Sequence, residues 1–194
     1  KHGGQPMYSH NKRYITVFNG TIYNFRELRS FLSRKKIKFK TNSDTEVLVN
    51  SYSYWKDKCF NYFDGMWAAG IYDFKNKSFL LSRDYVGQKP LFYSYDKKNL
   101  IFSSQINGIF KYKKSYNISI KSYENYLRFN HFPAPETLYK EIHQVEPGEN
   151  IFLNRNKFFK RKYWSIENGG NYNNFFKKNN LHNEASQFEK FISN

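Results

Sequence analysis

Chemistry in a protein needs a nucleophile, a placed titratable group or a pair of aimed donors, and this sequence offers few of each. Cys59 is the only thiol. It lies internally, between Lys58 and Phe60, and reads as a small buried packing residue rather than an activated nucleophile. Asp44 follows Ser43, a residue type that caps helices, so it falls at the first helical position. Backbone N–H groups and the helix dipole keep a carboxylate ionised there. Asn19-Gly20 joins an amide side chain to a residue that permits close approach and unusual dihedrals; taken alone, the pair signals a hairpin turn. Arg83-Asp84, followed by Gly87 and Pro90, reads as an arginine–carboxylate pair fixing a turn between two strands. His2, His10, His131, His143 and His182 are widely separated and lack metal-ligand spacing. There is no P-loop, no GxGxxG and no paired CxxC.

The elements that must position these residues follow from periodicity. Arg13 to Asn19 reads as a strand with Tyr14, Thr16 and Phe18 on one face and Ile15 and Val17 on the other, both faces buried, and with Asn19-Gly20 ending it. Asn24 with Glu27 has the pattern of a capping box, followed by Phe25, Leu28 and Leu32 at helical spacing. Ser43 with Glu46 makes a second box, opening a helix whose buried face is Val47, Leu48, Tyr52 and Trp55. Asp64-Gly65 is a turn. Strands are expected at Met66 to Phe74, Ser78 to Arg83, Leu91 to Tyr95 and Leu100 to Ser103. Tyr123 to Phe129 is a short helix, and Ile151 to Leu153 with Phe158 to Trp164 a last hairpin. Helices followed by runs of strands imply α+β rather than alternating βαβ units.

Composition bounds the rest. The 194 residues fit one domain, and aromatics reach 21%, so the core material is aromatic. No apolar run is long enough for a transmembrane helix and no secretory signal opens the chain; a cytoplasmic protein with no membrane partner is expected. One cysteine excludes an internal disulfide framework. The net charge of +16 admits a nucleic-acid partner. The lysines are scattered, however, and no base-reading helix or RNA-binding aromatic motif stands out, so none is expected. Residues 166–182, rich in Asn, Gly and Lys, read as a linker. Residues 183–194 have the pattern of an amphipathic helix opening a further unit (Ala185, Phe188, Phe191, Ile192).

Several segments stand in one order: Gly4 to Met7, Val17 to Arg29, Thr41 to Leu48, Asp64 to Ala68, Ser82-Arg83-Asp84, Gly87, Lys89-Pro90-Leu91, Phe102-Ser103-Ser104, Tyr126 to Phe129, Pro133 to Thr137 and Pro147-Gly148. Together they resemble the class II glutamine amidotransferase domain of glutamine-hydrolysing asparagine synthetases, from about Gly4 to Trp164. The resemblance implies an amino-terminal-nucleophile hydrolase fold, an αββα sandwich of two antiparallel sheets, incomplete at its N-terminus. Residues 1–165 would be a partial glutaminase domain, and residues 183–194 the start of an ATP-dependent synthetase domain.

The resemblance also assigns roles. Asn19 and Gly20 match the oxyanion hole, and Asn19, Gly20, Thr21 and Asp44 the glutamine-binding positions, with Asp44 on the α-ammonium. Thr21 departs from relatives that carry Glu after Asn-Gly, which leaves only its backbone for the pocket. Gln105 stands where Ser-Glu is usual. The nucleophilic N-terminal cysteine, and the arginine that grips the glutamine carboxylate, fall upstream of Lys1. No cofactor is implied in this segment; ATP and Mg, with aspartate as acceptor, belong to the synthetase domain. A homodimer is compatible with the family. Two other readings stand beside this one: a degenerate, noncatalytic binding module, and a glutaminase domain serving an amide-forming ligase with another acceptor.

Overall fold

The computed structural model describes residues 3–112, 115–155 and 157–166. The expected linker beyond Ile166 and the helix at 183–194 lie outside them. Strand β1 is Met7–Tyr8 and β2 Tyr14–Ile22; helices α1 (Phe25–Arg34) and α2 (Asp44–Trp55) follow, then a 3-10 segment, Lys56–Tyr62. Next come β3 (Gly65–Asp73), β4 (Ser78–Arg83), β5 (Phe92–Tyr95) and β6 (Leu100–Ser103). The chain continues through α3 (Ile106–Phe110), α4 (Ile120–Phe129), β7 (His143–Gln144), β8 (Glu149–Asn154) and β9 (Lys157–Lys162).

Two antiparallel sheets result, ordered β1-β2-β3-β4-β8-β9 and β6-β5-β7. Alternation along β3 explains how they stack. Trp67, Ala69 and Ile71 face a core shared with α1 and α2, including Phe18, Ile22, Leu28, Val47, Leu48 and Phe60. Ala68 points the other way, into a second core with Leu81, Leu91, Tyr93, Val145 and Ile151. Gly70 shares that second face, and a Cβ there would lie 2.7 Å from the Phe102 ring, so the small residues of β3 let the second sheet approach. Helix α3 packs against β5 and β6. Helices against one sheet, that sheet against a second, and a helix beyond give the expected α+β sandwich.

Four local expectations are corrected. Asn19-Gly20 does not end β2. The strand runs on to Ile22, with Asn19 opposite Ala68 and Gly20 opposite Trp67, because the long ladder to β3 overrides the local turn preference. Nor are both faces of β2 buried: Tyr14, Thr16, Phe18 and Ile22 are buried while Val17 and Asn19 are exposed. The second sheet covers β3, β4 and β8 and stops short of β2.

Asn24 precedes α1 but makes no side-chain cap. Its Nδ2 donates to the Tyr62 carbonyl at 2.9 Å and its Oδ1 accepts from Asp64 N–H at 3.0 Å, so the amide is spent on the approach to β3. The Ser43–Glu46 box is half formed. Ser43 Oγ accepts from Thr45 N–H at 3.1 Å. The Glu46 carboxylate instead takes the N–H groups of Lys40 and Thr41 and the Thr41 hydroxyl at 2.7–2.8 Å. Those three donors outcompete the single N–H that a reciprocal box supplies, and they clamp the preceding loop to α2.

Candidate active site

Strand β2 carries the candidate residues. In an antiparallel ladder, backbone groups point alternately toward one neighbour and the other. The even-numbered residues of β2 turn theirs away from β3. Tyr14 N–H donates to Ser9 Oγ and Tyr14 C=O accepts from Ser9 N–H. Thr16 lies opposite Met7 of β1. Phe18 is held by a side chain, its N–H donating to Gln5 Oε1 at 2.6 Å and its C=O accepting from Gln5 Nε2 at 2.7 Å. Ile22 N–H donates to Asp44 Oδ2 at 3.1 Å. Between the Gln5 amide and the Asp44 carboxylate lies Gly20, whose N–H the same alternation turns away from β3, toward an edge that no described strand pairs there.

Gly20 is where only glycine fits. Its φ is +155°, and a Cβ would lie 2.1 Å from the Met66 carbonyl oxygen and 2.8 Å from Trp67 Cα. Asn19, one residue earlier, presents its side chain on the face bearing Val17. It lines a cavity of about 310 Å³ with Gln5, Val17, Gly70, Leu91 and Phe102. Thr21 is exposed. Asp44 is the first residue of α2, as its sequence position requires, with Ser43 capping. Among the described residues no lysine or arginine forms an ion pair with it. The four candidate residues are thus collected at one edge: Asn19, Gly20 and Thr21 consecutive on β2, and Asp44 bonded to the residue that follows them.

Two other candidates are placed elsewhere. Cys59 is fully buried in the aromatic core, and burial pushes its thiol pKa well above the ordinary value. Arg83 and Asp84 do not pair with each other, contrary to the sequence reading. Arg83 donates to the carbonyls of Lys89, Val145 and Gly87 at 2.7–2.9 Å, and burial lowers its pKa. The Asp84 carboxylate accepts from the N–H groups of Trp67, Gln88 and Lys89 at 2.8–3.2 Å. Each charge is spent on the main chain of the turn. Gln5 is the site residue that sequence reasoning missed: it was visible only as part of Gly4 to Met7, and a side chain that binds main chain leaves no periodic trace.

Among the described residues no helix is long and apolar enough to cross a membrane. A family profile described as a glutamine amidotransferase domain matches residues 1–164. A putative glutamine-hydrolysing asparagine synthetase of Methanocaldococcus jannaschii is 35% identical over 156 residues, covering 79% of this chain and 30% of that protein. Asparagine synthetase 1 of Bacillus subtilis is 34% identical over 153 residues, covering 79% and 24%. The chain therefore spans about a quarter to a third of the length of these relatives. Among solved structures, glutamine phosphoribosylpyrophosphate amidotransferase from B. subtilis superposes with a TM-score of 0.59 at 19% identity, over 82% of this chain and 32% of that one. This last likeness speaks to the fold alone.

Proposed function

Because this chain belongs to the glutamine amidotransferase domain family, we propose that the open edge of β2 binds glutamine and stabilises hydrolysis of its side-chain amide, with release of ammonia. The observation that carries this reading is the outward Gly20 amide, bracketed by Gln5 and Asp44 and adjoining the Asn19 side chain. In this reading the amide oxygen of glutamine sits at Asn19 Nδ2–H and Gly20 N–H. Attack by a thiolate converts the carbonyl to a tetrahedral oxyanion, and these two donors are aimed where that charge develops. Collapse expels the protonated amine as ammonia and leaves a thioester. Water then hydrolyses the thioester to glutamate through the same oxyanion geometry. Asp44 accepts a hydrogen bond from the α-ammonium with acceptor sites that Ile22 N–H leaves over. Thr21 turns its main chain to Met66 of β3 and so presents only its exposed side chain. Cys59, buried and held as the thiol, does not supply the nucleophile; an N-terminal cysteine does, as the likeness to asparagine synthetases implies.

The likeness supports a finer reading as well: the ammonia passes to aspartate activated by ATP in a synthetase part of a longer polypeptide, and ATP and Mg²⁺ are bound there. The flanking coding sequence tests this. An upstream start of the Met-Cys-Gly type and a downstream Ser-Gly-Gly-Leu-Asp-Ser-like ATP motif are expected, and finding neither would refute it.

The site itself is tested by ammonia release from glutamine in the full-length protein. Asn19→Ala is expected to lower kcat on the order of 100- to 1,000-fold with a lesser change in KM. Asp44→Asn is expected to raise KM for glutamine. Wild-type kcat in Asn19→Ala would refute the oxyanion assignment. The 194-residue chain alone is expected to release no ammonia; release that Cys59→Ala abolishes would overturn the view of Cys59.

A further inference from the structure

We infer that Gln5 is a positioning residue for the reaction: its side-chain amide substitutes for one strand residue on β2 and thereby leaves the Gly20 N–H exposed to a substrate oxygen. The inference rests on the glutaminase reading of the site.

The register carries it. β1 pairs Met7 with Thr16 and Tyr8 with Ile15. Continued as a strand in that register, the chain before Met7 would place Gln5 opposite Phe18 and Gly3 opposite Gly20. The main chain of Gly3 would then lie on the Gly20 amide and cover it. The chain does something else. Strand β1 begins only at Met7. Gln5 serves Phe18 with its side chain, Oε1 taking the N–H at 2.6 Å and Nε2 giving to the C=O at 2.7 Å. A primary amide offers the same donor and acceptor as a peptide group, so Phe18 is as fully bonded as in a continuing strand. The main chain, however, is set back from β2 by the length of the glutamine side chain. It passes instead beside α2, where a Cβ on Gly3 would lie 3.8 Å from Ser43 Oγ. The gap opens at Gly20, one hydrogen-bonding position beyond Phe18. The same side chain lines the cavity that Asn19 lines. Gln5 thus fixes the peptide preceding Asn19 from one side while opening the edge on the other.

The side-chain length and both amide functions are required. Gln5→Asn is one methylene too short to bond Phe18 without drawing the main chain in. Gln5→Glu keeps an acceptor but sets a carboxylate against the Phe18 carbonyl. Gln5→Met fills the same volume and makes neither bond.

Two measurements test this together. In the full-length protein, Gln5→Met is expected to lower kcat for ammonia release roughly ten- to a hundredfold, as expected for loss of alignment at a reacting centre, with KM for glutamine changing far less. In the 194-residue chain, the Phe18 amide is expected to exchange slowly with solvent deuterium, and fast in Gln5→Met while Tyr14 stays protected. An unchanged kcat with Phe18 deprotected would overturn the inference and leave the glutaminase reading intact. A Phe18 amide equally protected in both proteins would overturn it too. Failure of the wild-type full-length protein to release ammonia would bring down the glutaminase reading itself, and this inference with it.

Discussion

Replacing Gly20 by alanine drives a methyl group to within 2.1 Å of the Met66 carbonyl. The two strands must part or the backbone must rotate, and overpacking of this kind costs about 1–3 kcal/mol. Asn19 is exposed, and its alanine variant should change stability by less than about 0.5 kcal/mol. Urea unfolding of the two variants therefore separates fold from chemistry: a lowered midpoint is expected for Gly20→Ala and a wild-type midpoint for Asn19→Ala. Cys59 gives the complementary case. Cys59→Ser places a hydroxyl in an aromatic core with no designed partner, a loss of about 1–3 kcal/mol. A midpoint unchanged in Cys59→Ser would contradict its burial. At this scale the sequence carried much of the site. Asp44 at a helix start and Cys59 as packing follow from neighbours a few residues away. The edge position of Gly20 and the reach of Gln5 do not, because both depend on which strand lies beside β2.

The start of β2 is tied to the end of β3 by Arg13 and Asp73, whose forked contact is 3.0 and 2.7 Å long. Burial alone would raise the Asp73 pKa, and it is the largest single influence. The bonds from Arg13 and from the Asn76 and Lys75 amides together outweigh it, and the pKa is lowered. A folded-state pKa below the unfolded value means stability that is present above about pH 3.9 and lost as pH falls through the folded pKa. Asp73→Asn is expected to flatten the acid limb of a stability–pH curve and to be less stable than wild type at neutral pH. An acid limb as steep as the wild type's would show that the pair is not coupled to folding.

The elements themselves were unevenly legible. β4 and β6 were evident as short runs rich in apolar residues between clear turns. β1 and β7, two residues each, have no period to read. They exist because a longer strand lies alongside. The 3-10 segment Lys56–Tyr62 and the short α3 lack the length for a helical pattern. Where capping was misjudged, Asn24 had partners 38 and 40 residues away, and Glu46 had three donors in the loop just before its own helix; a capping pattern reveals neither.

At the scale of the whole molecule, a charge of +16 on 194 residues opposes compaction by self-repulsion. Among the described residues the ion pairs are few; Lys162 with Glu146 at 2.9 Å and Arg161 with Asp57 pin the basic edge strand β9. Added salt screens repulsion between exposed charges beyond about 10 Å at 0.1 M. Thermal unfolding is therefore expected to shift upward as potassium chloride is raised from low to physiological levels, and a downward shift would show that attractive pairs dominate. The surface is also uneven in polarity. Ile120, Tyr123, Leu127 and Phe129 of α4 are all exposed, at 47–67%, whereas Leu28, Leu32, Val47, Leu48 and Val49 of the helices against the larger sheet are fully buried.

Gly20 faces Trp67 across the ladder, and Trp67 is wholly buried. Its indole N–H donates to Ser82 Oγ at 3.1 Å, and its ring stacks on Phe60 and meets Tyr85 edge-on. The protein therefore carries an optical probe within one strand spacing of its open edge. With Trp55 and Trp164 replaced by phenylalanine, the emission lifetime of the remaining indole would report occupancy of that edge in real time, without a label.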